Sequence, residues 1–161
     1  MKVYNGVLAM IYDWDIINGT FEIPDSVTII GNYAFGKCEK LLSIEIPDSV
    51  EFVGKYAFSG CIKLQSIKIP NSVTNIGNYA FNYCKSLKSI SIPDSVTEIG
   101  DYVFYDCKSL KSVVLPATIK RITSGFFKNC SNLTDVTVGK GCEIDLGTFE
   151  GCTNLQYIHE I

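Results

Sequence analysis

The sequence predicts an α/β repeat solenoid, a right-handed coil with about seven short parallel strands on its concave face and short helical or 3-10 turns on its convex face. Three observations carry this. A frame of 22 or 23 residues recurs six times, each frame holds an alternating apolar stretch, and each returns a cysteine three residues after a phenylalanine. The last feature is visible as "AFGKC" at residues 34–38 and again as "AFSGC", "AFNYC", "VFYDC", "FFKNC" and "TFEGC". Such periods mark solenoids, because one unit cannot bury its apolar face alone and stacked neighbours bury it instead.

The elements follow in order from the chain. Residues 1–20 precede the repeats and are expected to form a capping β-hairpin. Asn18-Gly19 between two apolar-rich runs is a two-residue hairpin signal, which would turn residues 14–17 back against residues 21–23, with Trp14 and Ile16 covering the first coil. Residues 21–161 then hold six units and a final strand. Within a unit, Leu41, Ile44 and Ile46 return as Leu64, Ile67, Ile69 and as Leu87, Ile90, Ile92. At strand period the isoleucines face in, and Ser43 and Glu45 face out. Pro47 ends the strand, since it has no N–H for a ladder. "PDS" is turn chemistry, with proline at the first central position and Asp48 and Ser49 bonding to nearby backbone. Val50 and Val53 are further inward anchors, and Gly54 permits a bend.

Ala57, Phe58, Cys61 and Leu64 sit at i, i+1, i+4 and i+7, the spacing of one face of a short helical segment. The column Cys38, Cys61, Cys84, Cys107 and Cys130 therefore points inward, as small apolar residues beside the phenylalanines. Its even spacing lacks the close pairs of a zinc site, and parallel side chains do not converge as a disulfide requires. Cys142 falls at the inward valine position and reads as a core substitute.

With 161 residues, 47% hydrophobic, and a net charge of -3, the chain fits one core and is not a polybasic nucleic-acid binder. No stretch approaches a membrane span, and the apolar run at residues 7–12 meets Asp13 and Asp15 too soon for a signal peptide. There is no phosphate-binding glycine loop, H-E-x-x-H or nucleophile elbow, so no enzyme, cofactor or metal is expected. His159, the only histidine, is expected to be a solvated imidazole. Asp25, Asp48 and Asp94 have turn roles that explain them without calcium. The asparagine triplets at Asn18, Asn129 and Asn132 matter only in an exported eukaryotic chain.

The run "LLSIEIPDSVEFVGKYAFSGC" and its copies resemble the leucine-rich repeats of the BspA-like type, from Phe21 to Ile161. Two units depart from that pattern: the fifth has Thr123 for the bend glycine, and the sixth has Gly139 for proline. The resemblance implies a non-catalytic protein-interaction module at the cell surface or secreted, of adhesin type, with a host matrix or cell-surface protein as partner. The alternative is a structural spacer within a longer array. A chain complete as given would instead be cytoplasmic.

Two exposed columns are the candidate partner-binding face. One runs Glu22, Glu45, Lys68, Ser91, Val114, Thr137 and His159, and beside it lie Thr20, Ser43, Ser66, Ser89, Ser112, Asp135 and Tyr157. A stripe of Tyr33, Tyr56, Tyr79 and Tyr102 is expected on the convex side, either as a contact surface or as rings covering one another. The last strand, at Ile158 and Ile161, has an unpaired edge blunted only by Glu160. It is expected either to continue into further repeats or to form a homodimer across a twofold axis.

Overall fold

The polar–apolar alternation of "SIE", "SIK" and "SIS" becomes a row of short strands with Ile44, Ile67 and Ile90 buried and their neighbours exposed. In the computed structural model, which describes residues 3–161, these are Ser43–Glu45, Ser66–Lys68, Ser89–Ser91, Ser112–Val114, Asp135–Val138 and Tyr157–Glu160. All pairings among them are parallel and shifted by one whole coil: Ser43 opposes Ser66, Ser89 opposes Ser112, and Asp135 opposes Tyr157. The ladder comes in two blocks, the first two strands and the last four. Six strands thus stand where about seven were expected. In the first coil, residues 20–22 form none, and the Leu42 and Ser43 amides donate instead to the Gly19 carbonyl at 2.7 and 3.2 Å.

A second row of strands was not expected. Ile29–Ile30, Phe52–Val53, Asn75–Ile76 and Glu98–Ile99 pair in parallel, and Arg121–Ile122 pairs with Glu143–Ile144. Each is two residues long; a glycine follows in the first four coils, and that glycine serves close approach between coils more than bending. A Cβ at Gly77 would come within 2.7 Å of the Lys55 nitrogen and 2.8 Å of the Gly54 carbonyl carbon. The preceding "PDSV" is a turn closed from Val50 N–H to the Pro47 carbonyl at 3.0 Å, so proline is its first residue and not its second. Ser49 Oγ reaches across to the Val27 carbonyl of the previous coil, 2.7 Å away.

The convex face corrects the expected α/β class. Among the described residues there is no helix and no 3-10 segment; the "NYAFGKC" stretches are stacked turns. The reason lies in where the amides donate. Tyr56, Phe58 and Gly60 donate to Asn78, Ala80 and Asn82 of the next coil, at 3.0, 2.8 and 2.9 Å. The amides between them, Ala57, Ser59 and Cys61, close turns within their own coil, onto Gly54, Tyr56 and Phe58. A helix would spend every amide internally. Two positions per coil are also left-handed: Tyr33, Tyr56, Tyr79 and Tyr102 at φ 54–58°, and Lys37, Gly60, Tyr83, Asp106, Asn129 and Gly151 at 57–78°. Neither is compatible with a right-handed helix.

The cap differs as well. The antiparallel hairpin pairs Val3–Tyr4 with Val7–Leu8 around Asn5-Gly6, whose φ values of 49° and 76° suit a tight hairpin turn. Val7–Leu8 then pairs in parallel with Ile29–Ile30, which joins the cap to the repeats. Asn18-Gly19 does turn, with φ 51° and 82°, but closes only an isolated bridge between Ile17 and Thr20. Ile16 is buried as expected. Trp14 is not: it sits in a turn closed from Asp15 N–H to the Tyr12 carbonyl, 74% exposed, its ring stacked on Tyr12 at 4.4 Å. A turn breaks the i, i+2 alternation that would have placed both residues on one side. Met1 and Lys2, part of the expected cap, lie outside the described residues.

The core is one continuous column from Leu8 to Val138. At its centre Phe35, Phe58, Phe81, Phe104, Phe127 and Phe149 stack nearly parallel, centroids 5.0–5.7 Å apart. Burying one such ring contributes about 1.5–3 kcal/mol.

Candidate functional site

The strands place the two polar columns in register on one open face. Along it lies a groove of about 850 Å³ bordered by Thr20, Glu22, Asp25, Ser43, Glu45, Asp48 and Lys68. A second depression of about 470 Å³ follows, bordered by Lys68, Asn71, Ser91, Asp94 and Val114. It lies where the ladder is interrupted between Ser66–Lys68 and Ser89–Ser91. Glu22, Glu45, Asp25 and Asp48 are exposed and give the first groove an acidic half, with Lys68 beside Glu45 in register.

Of the candidate residues, Glu45, Lys68, Ser91 and Val114 are exposed, as are Ser43, Ser66, Ser89 and Ser112. Thr137 and Asp135 are half-buried. Glu22 shares the groove but comes from the non-strand first coil. At the far end His159 Nε2 lies 3.6 Å from Asp135 Oδ1, and its ring lies 5.8 Å from Tyr157. The face thus grades from acidic to serine-lined to an Asp–Tyr–His end.

The tyrosine stripe is resolved in favour of self-coverage. Tyr33, Tyr56, Tyr79 and Tyr102 stack at 4.7, 4.7 and 5.0 Å, tilted by no more than 4°. The stack ends at Gly125, where any Cβ would run into the Tyr102 ring. Gly125 and Gly147 continue the same left-handed column. Glycine, asparagine or aspartate at Gly60, Asp106, Asn129 and Gly151 was a legible signal for the second left-handed column that helical spacing obscured.

All seven cysteines are free thiols. Each column thiol donates to the carbonyl of the phenylalanine one coil back: Cys61 to Phe35 at 3.0 Å, Cys84 to Phe58 at 3.2 Å, Cys107 to Phe81 at 3.1 Å, Cys130 to Phe104 at 2.9 Å and Cys152 to Phe127 at 3.0 Å. Cys38 does the same to Ile11 at 3.3 Å. Burial pushes the Cys38 thiol up to about 12, with Asp13 and Asp15 adding to it, and holds Cys84 well above its ordinary value. These are protonated donors, not nucleophiles. Cys142, which stands in the inward valine column and not in the cysteine column, is only half-buried.

A family model described as "BspA type Leucine rich repeat region (6 copies)" matches residues 17–134 and 74–160. The chain belongs to this family. Among solved structures, a T. pallidum leucine-rich repeat protein is 34% identical, with a TM-score of 0.80 over 88% of this chain and 69% of its own. A leucine-rich repeat protein of Bacteroides ovatus is 35% identical, with a TM-score of 0.75 over 89% of this chain and 39% of its own. A leucine rich cell surface protein of Faecalibacterium prausnitzii is 28% identical, with a TM-score of 0.51 over 85% of this chain and 52% of its own. No match was found among curated proteins.

Proposed function

We propose that this protein is a non-catalytic interaction module of the surface-adhesin kind, which recognises a protein partner through the groove bordered by Glu22, Glu45 and Lys68. The observation that carries this reading is the groove itself: stacked coils hold a row of exposed polar side chains in fixed register, so a partner meets a preorganised surface. Its acidic half suits a partner segment rich in lysine or arginine. The cell-surface description of the F. prausnitzii relative supports placement outside the cell. The second reading, a structural spacer, is favoured by the even stacking of the core, which would serve a rod as well as a receptor.

The test is binding to a panel of extracellular matrix and cell-surface proteins, comparing the native chain with Glu22→Lys/Glu45→Lys and with the off-groove control Glu39→Lys. A partner weakened about tenfold or more by the groove pair and untouched by the control supports recognition. A binding profile unchanged by the groove pair supports the spacer.

A further inference from the structure

Parallel strands give the open face two different borders, because every strand enters from one side and leaves at the other. The exit border carries Asp25, Asp48 and Asp94, each directly after a proline. The entry border carries lysine. In two successive coils it is built by the same six residues, "CKSLKS", at 84–89 and 107–112. Cys84, Leu87, Cys107 and Leu110 are fully buried, so the border shows to solvent Lys85, Lys88, Lys108 and Lys111, with serines between them. The Ser109 amide donates to the Lys85 carbonyl at 3.1 Å and the Lys111 amide to the Lys88 carbonyl at 2.9 Å. The lysines of one coil therefore lie against those of the next, their backbones about 4.8 Å apart. Little offsets these like charges. Of the four, among the described residues, only Lys108 has an ion-pair partner, Asp106 at 3.8 Å, and Asp135, in register with Ser112, faces His159. Lys85 Nζ lies 5.9 Å from the centre of the Tyr83 ring, which is 40% exposed.

We propose that this lysine border is a binding surface for a sulfated polysaccharide. It shares no residue with the groove bordered by Glu22, Glu45 and Lys68, so it stands apart from the reading given to that groove. Charge complementarity names a polyanion, and exposure decides its kind. A single ion pair in water is weak, so a small anion is not held. A chain that sets an anion against each lysine in turn is held, because its contacts are linked. Serine hydroxyls between the lysines suit the hydroxyl and ring oxygens of sugars, and the open Tyr83 ring offers a pyranose an apolar face beside a polar tip. A membrane surface finds no apolar anchor in this block, since both leucines are buried. Nucleic acid finds no arginine fork: the chain's only arginine, Arg121, stands in the other row of strands and grips Asp145 at 2.9 and 3.0 Å. Compact ammonium groups instead meet sulfates as point charges.

The experiment measures binding of the full chain to heparin over a series of salt concentrations. Lys88→Ser/Lys111→Ser is compared with Lys55→Ser/Lys140→Ser, which removes the same charge from exposed positions elsewhere. The expected result is heparin binding that weakens as salt rises. The border pair should raise Kd about tenfold or more and lower the slope of log K against log salt by about 2, one for each lysine removed; the control pair should leave both unchanged. Desulfated heparin should not bind. A native chain that fails to bind heparin at low salt overturns the proposal, as does a border pair that binds like the control pair. Single-stranded DNA or phosphatidylserine vesicles that bind as tightly as heparin at equal anionic charge also overturn it, because the surface would then select charge and not a sulfated sugar.

Discussion

Cys84 Sγ lies 3.2 Å from the carbonyl oxygen of Phe58, one coil back, and the Cys61 amide reaches that same oxygen at 3.2 Å. One carbonyl therefore takes a donor from its own turn and one from the next coil. The cysteine column is thus a hydrogen-bonded seam as well as a set of small core residues.

The seam changes what substitution there should do. Sequence alone expects a serine hydroxyl without a partner, costing about 1–3 kcal/mol. With the Phe58 carbonyl in reach, Cys84→Ser is expected to cost about 1 kcal/mol and Cys84→Ala about 1–2 kcal/mol, because alanine removes the donor and leaves a small void. Urea unfolding of the two variants checks the order. A serine variant clearly less stable than the alanine variant would show that a hydroxyl at this position does not reach the Phe58 carbonyl.

The same thiols make the protein sensitive to alkali. Burial raises Cys38 to about 12 from an ordinary 9.0, and raises Cys84 and Cys107 as well. The folded state therefore holds these protons after the unfolded chain releases them. Their contribution is present in full below about pH 9 and is lost as pH rises toward about 12. Denaturant midpoints that stay level across that window would contradict this.

Phe81 has stacked neighbours on both sides, at 5.4 and 5.7 Å, whereas Phe149 has one, at 5.5 Å. Phe81→Ala is expected to cost about 3–5 kcal/mol, as a hole that cannot collapse, and Phe149→Ala distinctly less. Equal losses in parallel melts would argue against nearest-neighbour stacking as the source of stability.

Tyr79 offers a test of the convex wall. In a helix glycine would be worse than alanine by about 0.5–1 kcal/mol. At φ 58° the order reverses: Tyr79→Gly is expected to be more stable than Tyr79→Ala by about 1 kcal/mol. Both should fall below the native chain, which gains from rings stacked at 4.7 and 5.0 Å. Thermal melts of the pair decide the sign.

The repeat, the inward columns and the outward face are legible in the chain alone, because burial in a solenoid is dictated by period. Ile44, Phe58 and Cys61 must face in wherever the coils stack, and Glu45 and Lys68 must face out. Helix against turn on the convex side was decided by tertiary structure. The i, i+4, i+7 pattern of Ala57, Cys61 and Leu64 suits both, and only the next coil, by taking the amides of Tyr56, Phe58 and Gly60, excludes the helix. The cap was likewise decided in space. Asn5-Gly6 and Asn18-Gly19 are equal as local signals, but Val7–Leu8 alone finds a strand, Ile29–Ile30, to extend. The partner of the Cys84 thiol, Phe58, lies 26 residues away along the chain. A spacing in sequence says which residues recur; what each one touches depends on how closely, and in which direction, one coil settles on the next.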